Sequence, residues 1–586
     1  MKPKIKLFII FLCFITPNQI YAQTRSLPAK LPSLPGRYFD LLEAGLARIE
    51  AKLNADPNPT LRSLEKGQAI GHFPHAIIVP AVLYSKKHPS NKHFGDSSML
   101  HLAERIGDLL VSEYDSGNYN SRYDNDWDTY MWLEAYRLLK NNLGEKRRKR
   151  WEKAIFENVQ MVEAPLIKYQ DYPWYNAPFI TTSPNHYAIY SGLVLLGGKV
   201  FNKPEWVKLA SKVFHRFCVR EQTIDGYWGE HSQAGPTTGY NYVTVTQMSL
   251  YYEYTKDPEA LKALRRSTNF HKFFTYPDGT PVETINDRNR DWGVSVWGHF
   301  GFSNFEDGRR YAEFLTSFQS VIGDTISYGG DIQTLGRIAQ NLIYYHAGPV
   351  GVVPQDQDEY AHQMKVPAGI RKTGPWVVTY SGIIAPQVTL NNFFLDRQGS
   401  LSAYNKKTGL IITGANSKRQ PGLATFTEKI GSDSIHMPVS SKLQMGRKGD
   451  TLSLAYNVFF ASVEVPAPNE KKLSLNIRTF YKWGEATNEL HLQLVLKNGQ
   501  ELTTGSGKKI ILGESKLDLG DEELGGSLTH NGWTMHIPRG IHLSWPVYPF
   551  NPYKDAPETN ISKAIGLLTL PLQLKDENFS FSIEVN

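Results

Sequence analysis

Two different hydrophobic periods run along this chain, and one replaces the other near residue 350. Upstream, apolar residues recur at helical spacing. In the stretch 128–143, Met131, Leu133 and Ala135, Leu138 and Leu139 fall on one face, with Asp128 placed to cap the start and Gly144 to stop it. Tyr187 to Leu196, Glu205 to Phe217 and Val243 to Tyr254 repeat the pattern, and a further helix is expected from Pro258. Helix–loop–helix units returning every ~40–60 residues predict an (α/α) toroid, an incomplete barrel. Downstream the period becomes two. Leu452, Leu454, Tyr456 and Val458 alternate with Ser453, Ala455 and Asn457, and Leu490 to Leu496 alternates before Asn498-Gly499, a strong hairpin signal. Segments 570–574 and 579–585 read as closing strands, so an antiparallel β-sandwich is expected. The Gly/Pro-rich stretch 348–354 and the polar stretch 355–359 mark the junction. The resulting division is a leader over 1–22, an α/α toroid over 23–350 and a β-sandwich over 351–586.

The leader reading rests on Lys2, Lys4 and Lys6 ahead of the apolar run 7–16, with Ala22 at the expected cleavage point. It predicts an exported protein, secreted or periplasmic. No later run reaches the ~18 apolar residues of a membrane span, so no stable membrane insertion is expected. Of the two cysteines, Cys13 leaves with the leader. Cys218 is then alone, and an intramolecular disulfide or a Cys-based metal site is excluded. Loss of the leader lysines lowers the formal charge from +7 to +4, a mild bias that suits an anionic partner. The basic run 146–150 is flanked by Glu145 and Glu152 and reads as a solvated helix start, not a nucleic-acid patch.

Three segments upstream carry candidate chemistry. Pro184 forces its predecessor out of helical geometry, so Asn185 and His186 fall at a loop-to-helix junction, near the positive end of a helix dipole. There they can point into a cleft, or serve simply as N-cap and first-turn residue. The second segment, 225–232 (Asp-Gly-Tyr-Trp-Gly-Glu-His-Ser), continues to Gly239-Tyr240-Asn241-Tyr242 as an aromatic loop ahead of the helix from Val243. A tyrosine in it can give or take a proton, or merely pack. The third, 283–292, places Arg288 and Arg290 among amides and acids, a set suited to binding a carboxylate or to a surface ion-pair cluster. His72, His75 and His299 lie in aromatic loops without metal-ligand spacing. No catalytic metal and no cofactor are expected, although scattered carboxylates leave calcium open.

The order of these features resembles the heparinase II/III-like and alginate-lyase-like polysaccharide lyases. Those proteins have a signal peptide, an α/α domain with an Asn-His pair before a helix, Asp-Gly-x-x-x-Glu-x-Ser followed by a Tyr, and a β-sandwich. The matching residues are Asn185-His186, the segment 225–232 and Tyr240, with 391–397 and 409–414 similar to the sandwich region. The spacing from Ser232 to Tyr240 is longer than that pattern, and Tyr242 competes for the same role. The resemblance implies β-elimination at a uronate. Asn185, helped by Arg288 or Arg290, would neutralise the carboxylate, His186 or a Tyr would take the proton, and Tyr240 would protonate the leaving oxygen. Glu230, Trp228, Tyr242 and His75 are expected to bind substrate, with Trp174, Tyr175, Trp228 and Trp292 as faces for sugar stacking. The expected partner is an anionic polysaccharide, and the oligomeric state is not legible. Two other readings stay open: an inverting glycoside hydrolase using Asp225, Glu230 or Asp287, and a glycan-binding protein without turnover.

Overall fold

The computed structural model describes residues 33–66, 72–119, 126–171, 184–229, 235–286, 293–319, 321–322, 325–326, 332–384, 400–414, 420–431, 435–436, 438–551 and 554–585. The leader segment 1–22 lies outside these residues. Helices fill the first half: α1 (Leu34–Asn54), α2 (Leu61–Leu64), α3 (Ile78–Ser85), α4 (Ser97–Asp115), α5 (Asp126–Leu139), α6 (Glu145–Tyr169), α7 (Pro184–Val200), α8 (Pro204–Arg216), α9 (Thr238–Thr255), α10 (Pro258–Phe273), α11 (His299–Phe302), α12 (Glu306–Ser317) and α13 (Ile332–Tyr344). A 3₁₀ turn, Phe73–Ile77, leads directly into α3.

The hydrophobic pattern decides which helices go inside. In α7 only His186 and Lys199 escape burial, so this helix needs neighbours on every side. In α8 the buried residues are Trp206, Leu209, Ala210, Val213 and Phe214, a single stripe with solvent behind it. The odd-numbered helices from α3 to α13 form an inner ring accordingly. α3, α5, α7, α9, α11 and α13 touch in succession, and α13 returns to α3. The even-numbered helices α4 to α12 lie outside. The basic run at the start of α6 belongs to this outer layer, where Arg147 pairs with Glu104, Lys149 with Glu145 and Arg150 with Asp115. It is a solvated helix face, as its composition predicts. None of the described helices is long and apolar enough to cross a membrane.

The second half is antiparallel sheet. One sheet has nine strands and runs, in spatial order, 440–446, 449–455, 459–466, 472–481, 577–585, 533–536, 527–530, 501–504 and 509–511. The other has eleven, with its main path running 517–519, 542–547, 565–572, 487–494, 409–413, 400–405, 376–381, 368–373 and 359–363. Leu452, Leu454, Leu473, Leu475, Leu490, Leu492, Leu568 and Phe581, drawn from both sheets, share one core between them. The Asn498-Gly499 turn is not a hairpin. Gly499 takes the positive φ that such a turn demands, but the strand before it (487–494) pairs with 565–572. The strand after it (501–504) pairs with 527–530 in the other sheet. The turn carries the chain across the sandwich, because a turn signal specifies a local reversal and not the partner strand.

Helices and sheet meet through a third apolar cluster. Tyr227, Phe270, Phe274, Tyr276, Val282 and Ile285 from the helical half pack on Tyr360, Ile370, Val377 and Tyr404 from the sheet. Two carboxylates pin this junction. Asp225 accepts from the backbone N–H groups of Lys365 and Val366. Glu283 is buried and accepts from Thr284 Oγ1, Thr413 Oγ1, Gly414 N and Tyr276 Oη.

Candidate active site

The inner helices α3, α5, α7 and α9 bring their N-terminal turns to one end of the ring. His75 and Asp128 join the starts of α3 and α5, with His75 Nε2 3.1 Å from Asp128 Oδ1. Trp127 and His186 join α5 to α7, their rings 5.8 Å apart. From α7 to α9 the link runs through packed rings. Tyr187 stacks on Phe217 at 5.7 Å, Trp228 Nε1 donates to Phe217 O, and Asn241 Oδ1 accepts from Trp228 N. Gly298, one residue before α11, lies against Val245 and Thr246 of α9. The Arg337 guanidinium of α13 sits 3.6 Å from the centre of the Trp297 ring. Gly336 closes the circle, where any Cβ would meet His75. The starts of α3, α5 and α7 thus meet at one mouth, which the second turn of α13 and the segment before α11 also line, and α5 and α7 turn the positive ends of their dipoles toward it.

The side chains at this mouth are aromatic, imidazole and amide groups. Trp127 stacks on His72, with centroids 5.9 Å apart and planes 8° from parallel, and meets Trp297 edge-on at 5.3 Å. Both tryptophans are half-buried, with one ring face of Trp127 covered by His72 and one of Trp297 by Arg337. Asn185 is buried within the first turn of α7, and His186 beside it is half-buried. Tyr240 lies in the first turn of α9, also half-buried. That helix begins at Thr238, not Val243, so Tyr240 and Tyr242 are both helical and face differently.

Burial alone would raise the Asp128 carboxyl, but the hydrogen bond from His72 and the adjacent His75 imidazole outweigh it and hold the group at about 2. Burial likewise disfavours a charged His72, and its bond to Asp128 overrides this and raises its pKa. For His75 burial outweighs the contact with Asp128 and pushes the imidazole down to about 3.

Several expected site residues have other jobs. Trp228 is 1% exposed and holds the α8–α9 connection together through both of its nitrogens, so it is scaffold and not a sugar-stacking face. Tyr242 is equally buried. Its ring stacks on His271 at 3.8 Å, its hydroxyl pairs with that of Tyr311, and burial pushes it up to about 12. It therefore does not compete with Tyr240. His75 has no exposure and touches Asp128 instead of substrate. Asp128 is not a helix cap, since α5 begins two residues earlier and its carboxylate is turned to the histidines. Asp225 is committed to the helix–sheet junction and is unavailable as a hydrolytic carboxylate. Glu230, Arg288 and Arg290 lie outside the described residues, as do Trp174, Tyr175, Asp287, Trp292 and 391–397. Gly229, directly before Glu230, bridges to Pro236. Asn286, two residues before Arg288, accepts from Thr238 N at the start of α9. Trp127, Trp297 and Arg337 carry no local signal that separates them from other buried aromatics and arginines. Only their convergence at the mouth marks them.

Neither a family model nor a curated protein sequence matches this chain. Solved structures do resemble it. A xanthan lyase from Paenibacillus superposes with a TM-score of 0.52 at 10% identity, over 94% of this chain and 59% of that one. This chain therefore spans little more than half the length of that enzyme. The Streptomyces coelicolor A3 chondroitin AC lyase, in complex with chondroitin sulphate, gives 0.51 at 12% identity over 96% and 81%. A heparinase III gives 0.52 at 12% identity over 95% and 92%. Together with the ring of helices and the sandwich behind it, these likenesses show that the chain has the fold of the polysaccharide lyases.

Proposed function

We propose that this protein is a secreted or periplasmic lyase that cleaves a uronic-acid-containing polysaccharide by β-elimination. One observation carries the reading: Trp127 at the start of α5 lies 5.8 Å from His186, which follows Asn185 at the start of α7, and the neighbouring inner helix α9 carries Tyr240 in its own first turn. An anionic chain is the ligand this mouth attracts, and the half-buried faces of Trp127 and Trp297 suit the apolar faces of sugar rings.

The C5 proton of a uronate is too weakly acidic to leave while the neighbouring carboxylate keeps its full charge. Asn185, with Arg288 or Arg290, would donate hydrogen bonds to that carboxylate, and these bonds strengthen as enolate charge develops. His186 or Tyr240 would take the C5 proton. The electron pair then forms the C4–C5 double bond as the C4–O bond breaks, and Tyr240 would protonate the departing oxygen. The likeness to structures solved as a xanthan lyase, a chondroitin AC lyase and a heparinase III supports this chemistry over hydrolysis. So does the commitment of Asp225 to the junction.

The test is direct. Protein from Gln23 onward is incubated with a panel of uronic polysaccharides while the near-ultraviolet absorbance of unsaturated uronate is followed. Rising absorbance that is lost in Tyr240→Phe and in His186→Ala is the expected result. Chain shortening without absorbance would overturn the reading in favour of hydrolysis, and binding without shortening would favour a glycan-binding protein.

A further inference from the structure

The His72, His75 and Asp128 cluster presents a problem that the elimination chemistry does not use. His75 has no solvent exposure, and although its Nε2 is 3.1 Å from Asp128 Oδ1, neither ring nitrogen makes a hydrogen bond of acceptable geometry. A fully buried imidazole with both nitrogens unsatisfied is costly, and its usual explanation is a water or ion at that point.

The local backbone explains how two histidines three residues apart share one face. On an α-helix the ligand spacing for a metal is commonly four, but His72 caps a 3₁₀ turn and His75 lies within it. Its three residues per turn place positions i and i+3 in line. Their rings are 5.2 Å apart. Asp128 enters from the first turn of α5, with Oδ1 3.2 Å from His72 Nδ1 and 3.1 Å from His75 Nε2. The three donor atoms lie within 4.8 Å of one another. In a tetrahedral site with bonds of about 2.0–2.1 Å, neighbouring ligand atoms are separated by about 3.3 Å. The two measured edges are therefore close to what a metal would require. The ring of His75 is also fixed from behind, because Gly336 brings the α13 backbone against it.

We infer that His72, His75 and Asp128 form a binding site for a zinc-class divalent cation, with its open coordination position toward the mouth of the ring. Two imidazoles and one carboxylate make the ligand set of zinc and its first-row neighbours, whereas calcium and magnesium prefer oxygen alone. His72 keeps 14% of its side chain exposed while His75 and Asp128 keep almost none, so access is from the His72 side, beside Trp127. The single ligand carboxylate opposes the nearby positive charge of Arg337, whose guanidinium is spread over Trp297 and directed to Gln340. This inference does not rest on the lyase reading.

The experiment uses the full chain, stripped with a chelator and titrated with Zn²⁺ alone and, separately, Co²⁺ alone. Wild type should take up one equivalent of Zn²⁺ with a rise in unfolding temperature. Co²⁺ should give the intense visible bands of a low-coordinate site and not the pale spectrum of the aquo ion. Asp128→Asn and His72→Asn should each weaken uptake at least ~100-fold, with far-ultraviolet circular dichroism confirming that they fold. Wild type that binds no Zn²⁺ and leaves Co²⁺ in its aquo form overturns the inference. So does folded His72→Asn or Asp128→Asn protein that binds as wild type does.

Discussion

Glu283 offers the sharpest test of how the two halves of this protein are joined. Its side chain is 4% exposed and its carboxylate receives four donors. Oε1 accepts from Thr284 Oγ1 at 3.0 Å, Thr413 Oγ1 at 3.1 Å and Gly414 N at 3.1 Å, and Oε2 accepts from Tyr276 Oη at 3.0 Å. Two of these donors come from the strand 409–413 and the residue that follows it, and two from the helical half, so one carboxylate couples both. Glu283→Ala removes every acceptor at once. Tyr276 keeps its bond with Ser402, and the threonine hydroxyls can turn, but Gly414 N cannot. With each stranded donor worth about 1–3 kcal/mol and some of them rescued, the expected loss is about 4 kcal/mol. Glu283→Gln keeps the Oε1 acceptor for three donors and faces its N–H₂ to the Tyr276 hydroxyl, which can accept, so the expected loss is about 1–2 kcal/mol. The assay is equilibrium unfolding in guanidinium chloride, followed by tryptophan fluorescence and by circular dichroism. The wild-type transitions should coincide, whereas in the alanine variant those of the helical and sheet halves should separate. An alanine variant within ~1 kcal/mol of wild type would refute the reasoning, because donors that lose nothing were not held by this carboxylate. A glutamine variant as damaged as the alanine one would also refute it, since charge rather than acceptor geometry would then be at work.

Three further outcomes follow. Tyr242→Phe should cost about 1 kcal/mol through the lost Tyr311 bond and leave turnover unchanged, while Tyr240→Phe should abolish turnover at unchanged stability, read by parallel thermal melts and rate assays. Burial pushes His271 down to about 3 and His299 to about 4, so both stay neutral in the folded protein but protonate near 6.5 once unfolded. The unfolded state then binds more protons between about 4 and 6.5, and stability should fall as pH drops through that window, by about 1.4 kcal/mol per pH unit for each residue. A melt series flat between pH 6.5 and 5 would contradict it. Asp225→Asn should weaken the junction by about 1 kcal/mol and spare catalysis. Loss of activity in a folded Asp225→Asn protein would revive the hydrolase reading.

The amino-acid pattern by itself determined the elements and their class. Apolar spacing marked α7, α8, α9 and the start of α10 at Pro258, and alternation marked the strands around 452 and 490, because periods of 3.6 and 2 are properties of the local backbone. It also placed Asn185 and His186 at a helix start through Pro184, but left Tyr240 in the loop ahead of Val243, although α9 already begins at Thr238. Partner choice was beyond it. Asn498-Gly499 makes its turn and then sends the chain to the other sheet. Tyr240 and Tyr242 look interchangeable until packing buries Tyr242 against His271 and leaves Tyr240 half-buried. His72 and His75 lack α-helical ligand spacing, and only the 3₁₀ turn and the arrival of Asp128, 53 residues past His75, bring the three together. Trp127, His186, Trp297 and Arg337 are separated by tens of residues along the chain, and they meet only because a closed ring of helices sets the segments that carry them side by side. Local periodicity follows from the geometry of one segment, whereas a site like this one is a sum of long-range contacts that exist only after the ring has closed.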